Sequence, residues 1–384
     1  MPKTHDFIVV GAGVFGAWTA YYLRHSGFSV ALLDAYGAAS SRASSGGETR
    51  VIRMGYGPDE LYTRWSARSL AIWKNLARRT NLELFHRTGV LWLSDGGDRY
   101  TRQSLDVLNR AGIACERLSA AEIRCNYPQL SFGDVTWGIL EPESGVLMAR
   151  QAVQALVNEC IGCGVEYSLA AVMPPSGTRK LETINTNAGG CLSAGVFIFA
   201  CGPWLPTLFP DLLADQIRPS RQEVIFLGVP PGNDGFSAPK MPVWLHHTHP
   251  NRPYALPDIA NRGFKIAFDR HGPDFNPDTG SRVIGEEAIA ELRRYLKEHI
   301  PTLQNAPVVE TRVCQYENTS NGDFLIDRHP ECENVWLVGG GSGHGFKHGP
   351  VVGEHLRDLV LHSIAAEPRF SLATKQTTRM RAVF

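Results

Sequence analysis

The chain has 384 residues, of which 43% are hydrophobic and 20% are charged. This composition is typical of a globular protein, and the length favours two domains whose core needs no disulfide or metal ion. Lysine plus arginine and aspartate plus glutamate each number 38, so the formal net charge is zero. A balanced charge gives no reason to expect a nucleic-acid partner or an anionic membrane partner.

The N-terminus and the cysteines predict a protein of a reducing compartment. A glycine turn follows the first apolar run, where a secretory signal would have a long apolar core. The longest uncharged run, residues 191–210, contains three prolines, which would break a membrane-spanning helix. The eight cysteines are scattered, and the pair Cys160 and Cys163 lies at a polar helix end. We therefore expect free thiols and a cytoplasmic location, with no membrane partner.

Hydrophobic spacing predicts a mixed sequence of strands and helices. In chain order, the predicted elements are strand 7–10, helix 14–25, strand 28–33, strand 90–93, helix 106–112, helix 149–164, strand 195–200, alternating strands over 241–268, helix 285–299, strand 335–338 and helix 351–364.

Parallel-sheet patterns open and close the chain, and antiparallel patterns lie between them. This order predicts an α/β plus α+β protein, in which a Rossmann-like doubly wound domain carries an inserted, mainly antiparallel substrate domain. The predicted nucleotide-binding domain comprises residues 1–85, 146–217 and 320–384, and the predicted substrate domain comprises 86–145 and 218–319.

The first strand leads into VVGAGVFG, which places Gly11, Gly13 and Gly16 at GxGxxG spacing. Gly11 permits a tight turn, Gly13 lets the backbone approach a pyrophosphate, and Gly16 lets helix and strand pack closely. Asp34 ends the second strand, where a carboxylate can accept hydrogen bonds from ribose hydroxyls. A strand, a glycine turn, a helix and this acid together predict an ADP-containing cofactor, but do not distinguish NAD from FAD.

Four stretches together resemble the flavin-dependent amino acid oxidases of the monomeric sarcosine oxidase type, relatives of N-methyltryptophan, pipecolate and fructosyl amino acid oxidases. They are the glycine turn with Asp34, SSRASSGGETRVIRMGYG at 40–57, CQY at 314–316 and GGGSGHGFKHGP at 339–350. The likeness covers nearly the whole chain. It implies FAD as the cofactor, an amino acid and O2 as the small-molecule partners, H2O2 as a product, and a monomer.

The resemblance gives Cys314 a role, because a cysteine at this place in the family bonds covalently to the flavin ring. A thiolate is a strong nucleophile, so the linkage is chemically reasonable. The alternative is an ordinary free cysteine in a strand, which is the usual state of a lone cysteine.

The resemblance also assigns the residues that would carry the chemistry. Arg53 is the expected clamp for the substrate carboxylate, assisted by Lys347, because a guanidinium binds carboxylate through two parallel hydrogen bonds. Arg50 matches an arginine that lies near the flavin ring. Lys265 matches a lysine that activates oxygen, since a fixed positive charge stabilises superoxide as it forms. The alternatives are solvated loop arginines and a strand lysine that points to solvent.

Three further side chains are expected at the substrate. His344 and Tyr316 would orient the amine or the carboxylate, and Tyr254 resembles an active-site tyrosine. The other cofactor contacts that the resemblance implies are Val14, Phe15, Ala35, Ser44, Ser45, Val51, Val172, Gly202, Trp204, Gly341, Gly343, Gly345, Phe346 and, again, Lys347.

The chain departs from the sarcosine oxidase pattern at Gly46 and Asp269, where those enzymes have histidines. An acid at 269 favours a substrate with a cation or hydroxyl groups, so sarcosine itself is not the expected substrate. The histidines 246, 247 and 249 lack a completing acid or cysteine, so we predict a loop near the site and no metal.

We therefore predict oxidation of the C–N bond of a secondary, N-alkyl or cyclic, amino acid. The alternatives are an oxidase of fructosyl or other N-substituted amino acids, a flavin dehydrogenase with another electron acceptor, a nicotinamide-dependent enzyme, and a flavin carrier without turnover.

Overall fold

The computed structural model describes residues 4–177 and 179–376. Its strands are β1 (Thr4–Val10), β2 (Val30–Asp34), β3 (Arg50–Ile52), β4 (Phe85–His86), β5 (Val90–Ser94), β6 (Glu116–Ser119), β7 (Trp137–Glu141), β8 (Gly145–Leu147), β9 (Glu166–Leu169), β10 (Thr183–Asn185), β11 (Cys191–Phe199), β12 (Ile217–Leu227), β13 (Val243–His246), β14 (Pro253–Leu256), β15 (Phe264–Phe268), β16 (Val308–Thr319), β17 (Leu325–Arg328) and β18 (Val335–Gly339). Its α-helices are α1 (Val14–His25), α2 (Glu60–Thr80), α3 (Arg99–Arg110), α4 (Ala120–Asn126), α5 (Ala149–Gly162), α6 (Leu205–Leu208), α7 (Pro210–Leu213), α8 (Glu286–His299) and α9 (Gly349–Val360).

The first sheet has the strand order β17-β18-β11-β1-β2-β9, and β10 pairs with β11. Its central pairs are parallel, and α1 packs against both α5 and α9 on one face. The close contact of α1 with α9 requires Gly353, because a Cβ there would lie 2.7 Å from Trp18. The short helices α6 and α7 and the residue between them cover part of the other face with Leu205, Leu213 and Phe209, respectively. The predicted doubly wound sheet is thus confirmed.

The second sheet has the order β16-β12-β15-β14-β13-β5-β7-β6 and is antiparallel except where β13 pairs with β5. Strands β12 and β16 pair over most of their length, which makes a long ribbon at one edge. Helix α8 buries Leu292, Tyr295 and Leu296 against this sheet. The mainly antiparallel second unit that the alternating pattern predicted is therefore present, whereas the exact domain boundaries stay a prediction.

Two helices differ from the prediction for identifiable reasons. The predicted helix 106–112 is the second half of α3, which begins at Arg99 because the Asp98 carboxylate accepts the N–H groups of Tyr100 and Thr101. Helix α2 was not predicted. Its buried face includes Ser66 and Ser69, and these serines interrupt the apolar pattern that indicates a helix.

His247 and His249 lie in the turn that follows β13, whereas His246 belongs to the strand; the position of this turn near the site stays a prediction. His246 ends β13, is 0% exposed and packs against the rings of Phe132, His249 and His299. Within residues 4–177 and 179–376, no group of three or more His, Cys, Asp or Glu side chains could hold a metal ion. In the same part of the chain, no helix combines the length and apolar character needed to cross a membrane.

We predict that His246 makes folding stability depend on pH. Burial lowers the pKa of His246 to about 4, although Asp134 opposes the shift. Between about pH 6.5 and pH 4, the unfolded chain binds a proton at this position that the folded chain does not. The free energy of unfolding should therefore fall with decreasing pH in this window, by up to about 1.4 kcal/mol per pH unit from this group.

Urea unfolding of the wild type and the His246→Gln variant at several pH values measures this contribution. The variant should show a shallower decrease of unfolding free energy below pH 6.5, whatever its stability at pH 7. An identical pH dependence in the two chains would contradict the assignment.

Candidate active site

The first cavity has a volume of about 310 Å³ and lies at the carboxyl ends of β1 and β2, against β16. The glycine turn forms one wall. Gly11 has a φ of 105°, and a Cβ at this position would lie 2.4 Å from the Ala200 carbonyl oxygen, so the turn requires glycine. A Cβ at Gly13 would contact only Ser45 Oγ, at 3.5 Å, and would otherwise extend into open space. The turn therefore exposes its backbone to the cavity.

Asp34 lies at the same wall and is held by three backbone groups. Its Oδ2 accepts the N–H of Ala12 at 2.8 Å, and its Oδ1 accepts those of Tyr36 at 2.9 Å and Gly37 at 2.8 Å. Burial raises the pKa of Asp34, and these hydrogen bonds oppose the shift. The carboxylate thus both orders the turn and faces the cavity.

Most of the predicted cofactor contacts line this cavity. They are Gly11, Gly13, Val14, Phe15, Asp34, Ala35, Ser44, Ser45, Arg50, Val172, Gly202, Trp204, Cys314, Gly341, Gly343, Gly345 and Phe346. Gly16 does not line it: a Cβ there would lie 1.9 Å from the Gly11 carbonyl oxygen, so Gly16 serves the packing of α1 on the turn. Val51 and Lys347 line a second cleft instead.

The second cleft has a volume of about 90 Å³ and adjoins the first cavity. Arg50, Cys314 and Tyr316 are among the residues that line both spaces. All six predicted catalytic side chains line the cleft: Arg53, Tyr254, Lys265, Tyr316, His344 and Lys347. Residues that are far apart in the sequence are therefore brought together beside the larger cavity.

Cys314 is held at the boundary between the two spaces. It lies in β16 opposite Gln222 of β12, and its side chain is partly buried. Arg50 donates a hydrogen bond from Nη2 to Cys314 Sγ at 3.3 Å and to the Ser44 carbonyl oxygen at 2.6 Å. The cysteine thus faces the large cavity with a cation in contact with its sulfur.

Arg53 and Lys347 place two buried cations in the cleft, each 4% exposed. The Arg53 guanidinium donates to the Gly55 carbonyl oxygen at 2.5 Å and lies 4.6 Å from the Tyr56 ring centroid and 4.8 Å from that of Trp92. Lys347 Nζ donates to the Tyr56 hydroxyl at 2.7 Å. Burial, reinforced by Arg53, holds the pKa of Lys347 well below its usual value. An anion in the cleft would oppose that shift.

Lys265 is a third buried basic side chain and is 4% exposed, so the alternative of a strand lysine pointing to solvent is wrong. It lies in β15 and donates from Nζ to the Thr49 carbonyl oxygen at 2.9 Å and to Thr49 Oγ1 at 3.2 Å. Burial, together with Arg50, lowers the pKa of Lys265 to about 7.

Asp269 supplies an acid at the same cleft. It follows β15 directly and accepts a hydrogen bond from the Tyr316 hydroxyl at 2.7 Å. Burial raises the pKa of Asp269 to about 6, although Tyr316 and three cations oppose the shift. Burial likewise raises the pKa of Tyr254 above its usual value. Asp269, where the chain departs from the sarcosine oxidase pattern, thus lines the cleft. Its position four residues after Lys265 in the sequence had suggested this.

His344 is held by its neighbours. Its Nε2 donates to the Gly322 carbonyl oxygen at 3.0 Å, so Nδ1, 3.2 Å from the Tyr56 hydroxyl, accepts in the neutral ring. Tyr56 also lies 2.8 Å from His348 Nε2. Neither Tyr56 nor His348 was predicted as a site residue, although Tyr56 follows Arg53 by three residues and His348 directly follows Lys347.

Comparison with known proteins assigns the family. The chain matches the family DAO, described as FAD dependent oxidoreductase, over residues 6–359. It is 31% identical to a monomeric sarcosine oxidase of Bacillus sp. (strain NS-129), over 93% of each chain. It is 26% identical to an N-methyl-L-tryptophan oxidase of Yersinia pestis (strain Pestoides F), over 91% of this chain and 93% of that one.

Among solved structures, the L-proline dehydrogenase from P. horikoshii superposes with a TM-score of 0.86 at 19% identity, covering 99% of this chain and 100% of that one. This likeness establishes the shared fold, and the family match extends over nearly the whole sequence. The glycine turn, the cavity beside it and these matches agree: the chain belongs to the DAO family and is an FAD-dependent oxidoreductase.

Proposed function

We propose that this enzyme oxidises the C–N bond of a secondary, N-alkyl or cyclic, amino acid to an imine, with O2 reduced to H2O2. The observation that carries the proposal is the composition of the second cleft. Six side chains from distant stretches of the sequence meet there, next to Cys314, which lies between the cleft and the first cavity. The relatives named sarcosine oxidase and N-methyl-L-tryptophan oxidase support the same class of substrate.

The first cavity fits FAD. The open backbone at Gly13 and the N-terminus of α1 suit a pyrophosphate, and Asp34 suits a ribose. At the other end, Cys314 lies where the cavity meets the cleft, and we propose that the flavin ring binds there. Bound FAD supplies a two-electron oxidant for the C–H bond beside the substrate nitrogen. We further propose that it is attached covalently through Cys314, with Arg50 in contact with the sulfur.

Arg53 and Lys347 are proposed to bind the substrate carboxylate. Their burial removes competing water, and Arg53 disfavours the charged form of Lys347 until an anion binds. The same positive surroundings favour the neutral form of the substrate amine, and only a neutral amine has the lone pair that oxidation requires. Their role is therefore to orient the substrate and to help deprotonate it.

Asp269 and Tyr316 are proposed to face the nitrogen substituent. The pair offers a carboxylate and a phenol in contact with one another, which suits a substituent that bears hydroxyl groups or a cation. A fructosyl or other polar N-substituted amino acid is therefore the second candidate substrate. Tyr254 and His344 border the same space and would restrict its shape.

Lys265 is proposed to activate oxygen. It is a buried amine beside the boundary residue Cys314, and its protonated form in a dry site stabilises negative charge as it develops on oxygen. Its hydrogen bonds to Thr49 fix the position of the amine.

Three broader features are also proposals. We propose a monomer, in line with the relatives named monomeric sarcosine oxidase, and a cytoplasmic location. We retain the division into an FAD-binding domain (1–85, 146–217, 320–384) and a substrate domain (86–145, 218–319). Gel filtration at several protein concentrations tests the first of these, and a concentration-dependent mass would contradict it.

We predict that Cys314→Ser abolishes covalent attachment of the flavin. After acid precipitation, the yellow colour should stay with the wild-type protein and pass into the supernatant for the variant. Cys201→Ser is the matched control, because Cys201 is a second thiol that lines the same cavity and donates to the Val10 carbonyl oxygen. Release of flavin from the wild type, or retention by the Cys314→Ser chain, would refute the linkage.

We predict that Lys265→Met slows reoxidation by air at least about a hundredfold, the typical cost of losing one group that stabilises developing negative charge. Reduction by substrate without oxygen should change little, because Lys265 does not bind the carboxylate. Stopped-flow absorbance separates the two half-reactions. Unchanged reoxidation would remove Lys265 from this role and favour a dehydrogenase with another acceptor.

We predict that Arg53→Met weakens the binding of a simple carboxylate such as acetate by about ten- to a hundredfold, the cost of losing charge-assisted hydrogen bonds. Titration of the flavin absorbance measures the dissociation constant. Arg270→Met is the control, since Arg270 is exposed and paired with Glu291. Equal acetate affinity in the Arg53→Met chain and the wild type would exclude Arg53 as the clamp.

A further inference from the structure

Glu317 is a buried acid in the cofactor cavity that has no role so far. It follows Cys314 by three residues in β16 and is 8% exposed. Side chains alternate along a strand, so Glu317 points to the opposite face of β16 from Cys314 and Tyr316, yet all three line the cavity. The Glu317 side chain lies next to Gly202 and Gly341.

Among residues 4–177 and 179–376, only one of the two carboxyl oxygens of Glu317 has a hydrogen-bond partner. Oε1 accepts the N–H of Gly341 at 3.1 Å. Oε2 is buried and has no hydrogen-bond partner in the described part of the chain. Burial raises the pKa of Glu317 to about 7, and the N–H groups of Gly341 and Gly340 oppose the shift. A buried carboxyl oxygen without a partner is unfavourable, which indicates that a group outside the protein completes its hydrogen bonding.

Glycines keep the space around this carboxyl group free of side chains. A Cβ at Gly202 would lie 3.5 Å from Oε2, one at Gly339 would lie 3.3 Å from it, and one at Gly341 would lie 3.0 Å from Oε1. Gly202 and Gly341 line the cavity together with Glu317. No side chain from positions 202 or 341 therefore separates the carboxyl group from the cavity.

The position of Glu317 in the cavity indicates which part of FAD it could contact. Asp34 and the turn at Gly13 mark the adenosine and pyrophosphate end, and Cys314 marks the ring end. A carboxyl group is a poor neighbour for a pyrophosphate, because both are acceptors and carry like charge. Between the pyrophosphate and the ring, FAD has only its ribityl chain, whose hydroxyl groups both donate and accept.

We propose that Glu317 binds a hydroxyl group of the ribityl chain of FAD through Oε2. The inference rests on the proposed position of FAD in the first cavity. It makes Glu317 a cofactor-binding residue that also ties the segment at Gly341 to the cofactor, because one carboxyl group contacts both.

A purely structural role is the competing explanation, in which Glu317 only holds Gly341. FAD analogues that lack single ribityl hydroxyl groups distinguish the two roles. All measurements use full-length chains that carry Cys314→Ala, so that affinity is not obscured by a covalent bond. Equilibrium dialysis gives the dissociation constants of FAD and of the 2′-, 3′- and 4′-deoxy analogues, for chains with Glu317, Glu317→Gln and Glu317→Leu.

With Glu317 present, one deoxy analogue should bind at least about tenfold more weakly than FAD, the usual effect of losing a hydrogen bond to a charged group. Glu317→Gln should keep most of the affinity for FAD, since an amide still pairs with both Gly341 and a hydroxyl. Glu317→Leu should lose about tenfold in affinity for FAD and bind that analogue as well as it binds FAD.

Two results would overturn the proposal. One is that no deoxy analogue binds more weakly than FAD when Glu317 is present, a comparison that needs no substitution at 317. The other is that the Glu317→Leu chain discriminates between FAD and its deoxy analogues as strongly as the chain with Glu317 does. That result would indicate a purely structural role for Glu317. If the chain with intact Glu317 binds no FAD at all, the position of the cofactor and the role of Glu317 both fail.

Discussion

The burial of positive charge at one boundary is the constraint on which the site depends. Arg53, Lys265 and Lys347 are each 4% exposed and line one small cleft. Burying a charge is costly unless it is paired, and the pKa values of both lysines are lowered accordingly. Asp269 compensates only part of this charge. The electrostatics of the cleft therefore favour the binding of an anion.

The fold holds this charge in place by joining two different sheets. The parallel sheet supplies the glycine turn and Asp34, and the antiparallel sheet supplies β15 with Lys265 and β16 with Cys314. Strand β16 contributes residues 314–317 in succession to the cavity wall, so it borders both the junction with the cleft and the interior of the cavity. Rigid strands position these side chains more accurately than loops would.

Features of the fold and the site that depend on neighbouring residues in the sequence were predictable. The glycine turn and β1-α1-β2 follow from short-range spacing, and the family resemblance indicated six of the side chains that line the cleft: Arg53, Tyr254, Lys265, Tyr316, His344 and Lys347. Features that depend on distant partners were missed. The His246 environment comes from Phe132 and α8, the start of α3 from a cap at Asp98, and the open space at Glu317 from glycines in two other segments. One sequence does not reveal such contacts.

The most direct test of the account is reduction of the bound flavin without oxygen. The purified protein would be mixed with sarcosine, N-methyl amino acids, pipecolate, proline and fructosyl amino acids, and its absorbance followed before and after air is admitted. The account predicts rapid bleaching by one class of secondary or N-substituted amino acid, and prompt recovery in air with formation of H2O2. A colourless protein, or a yellow protein that none of these compounds bleaches, would contradict it.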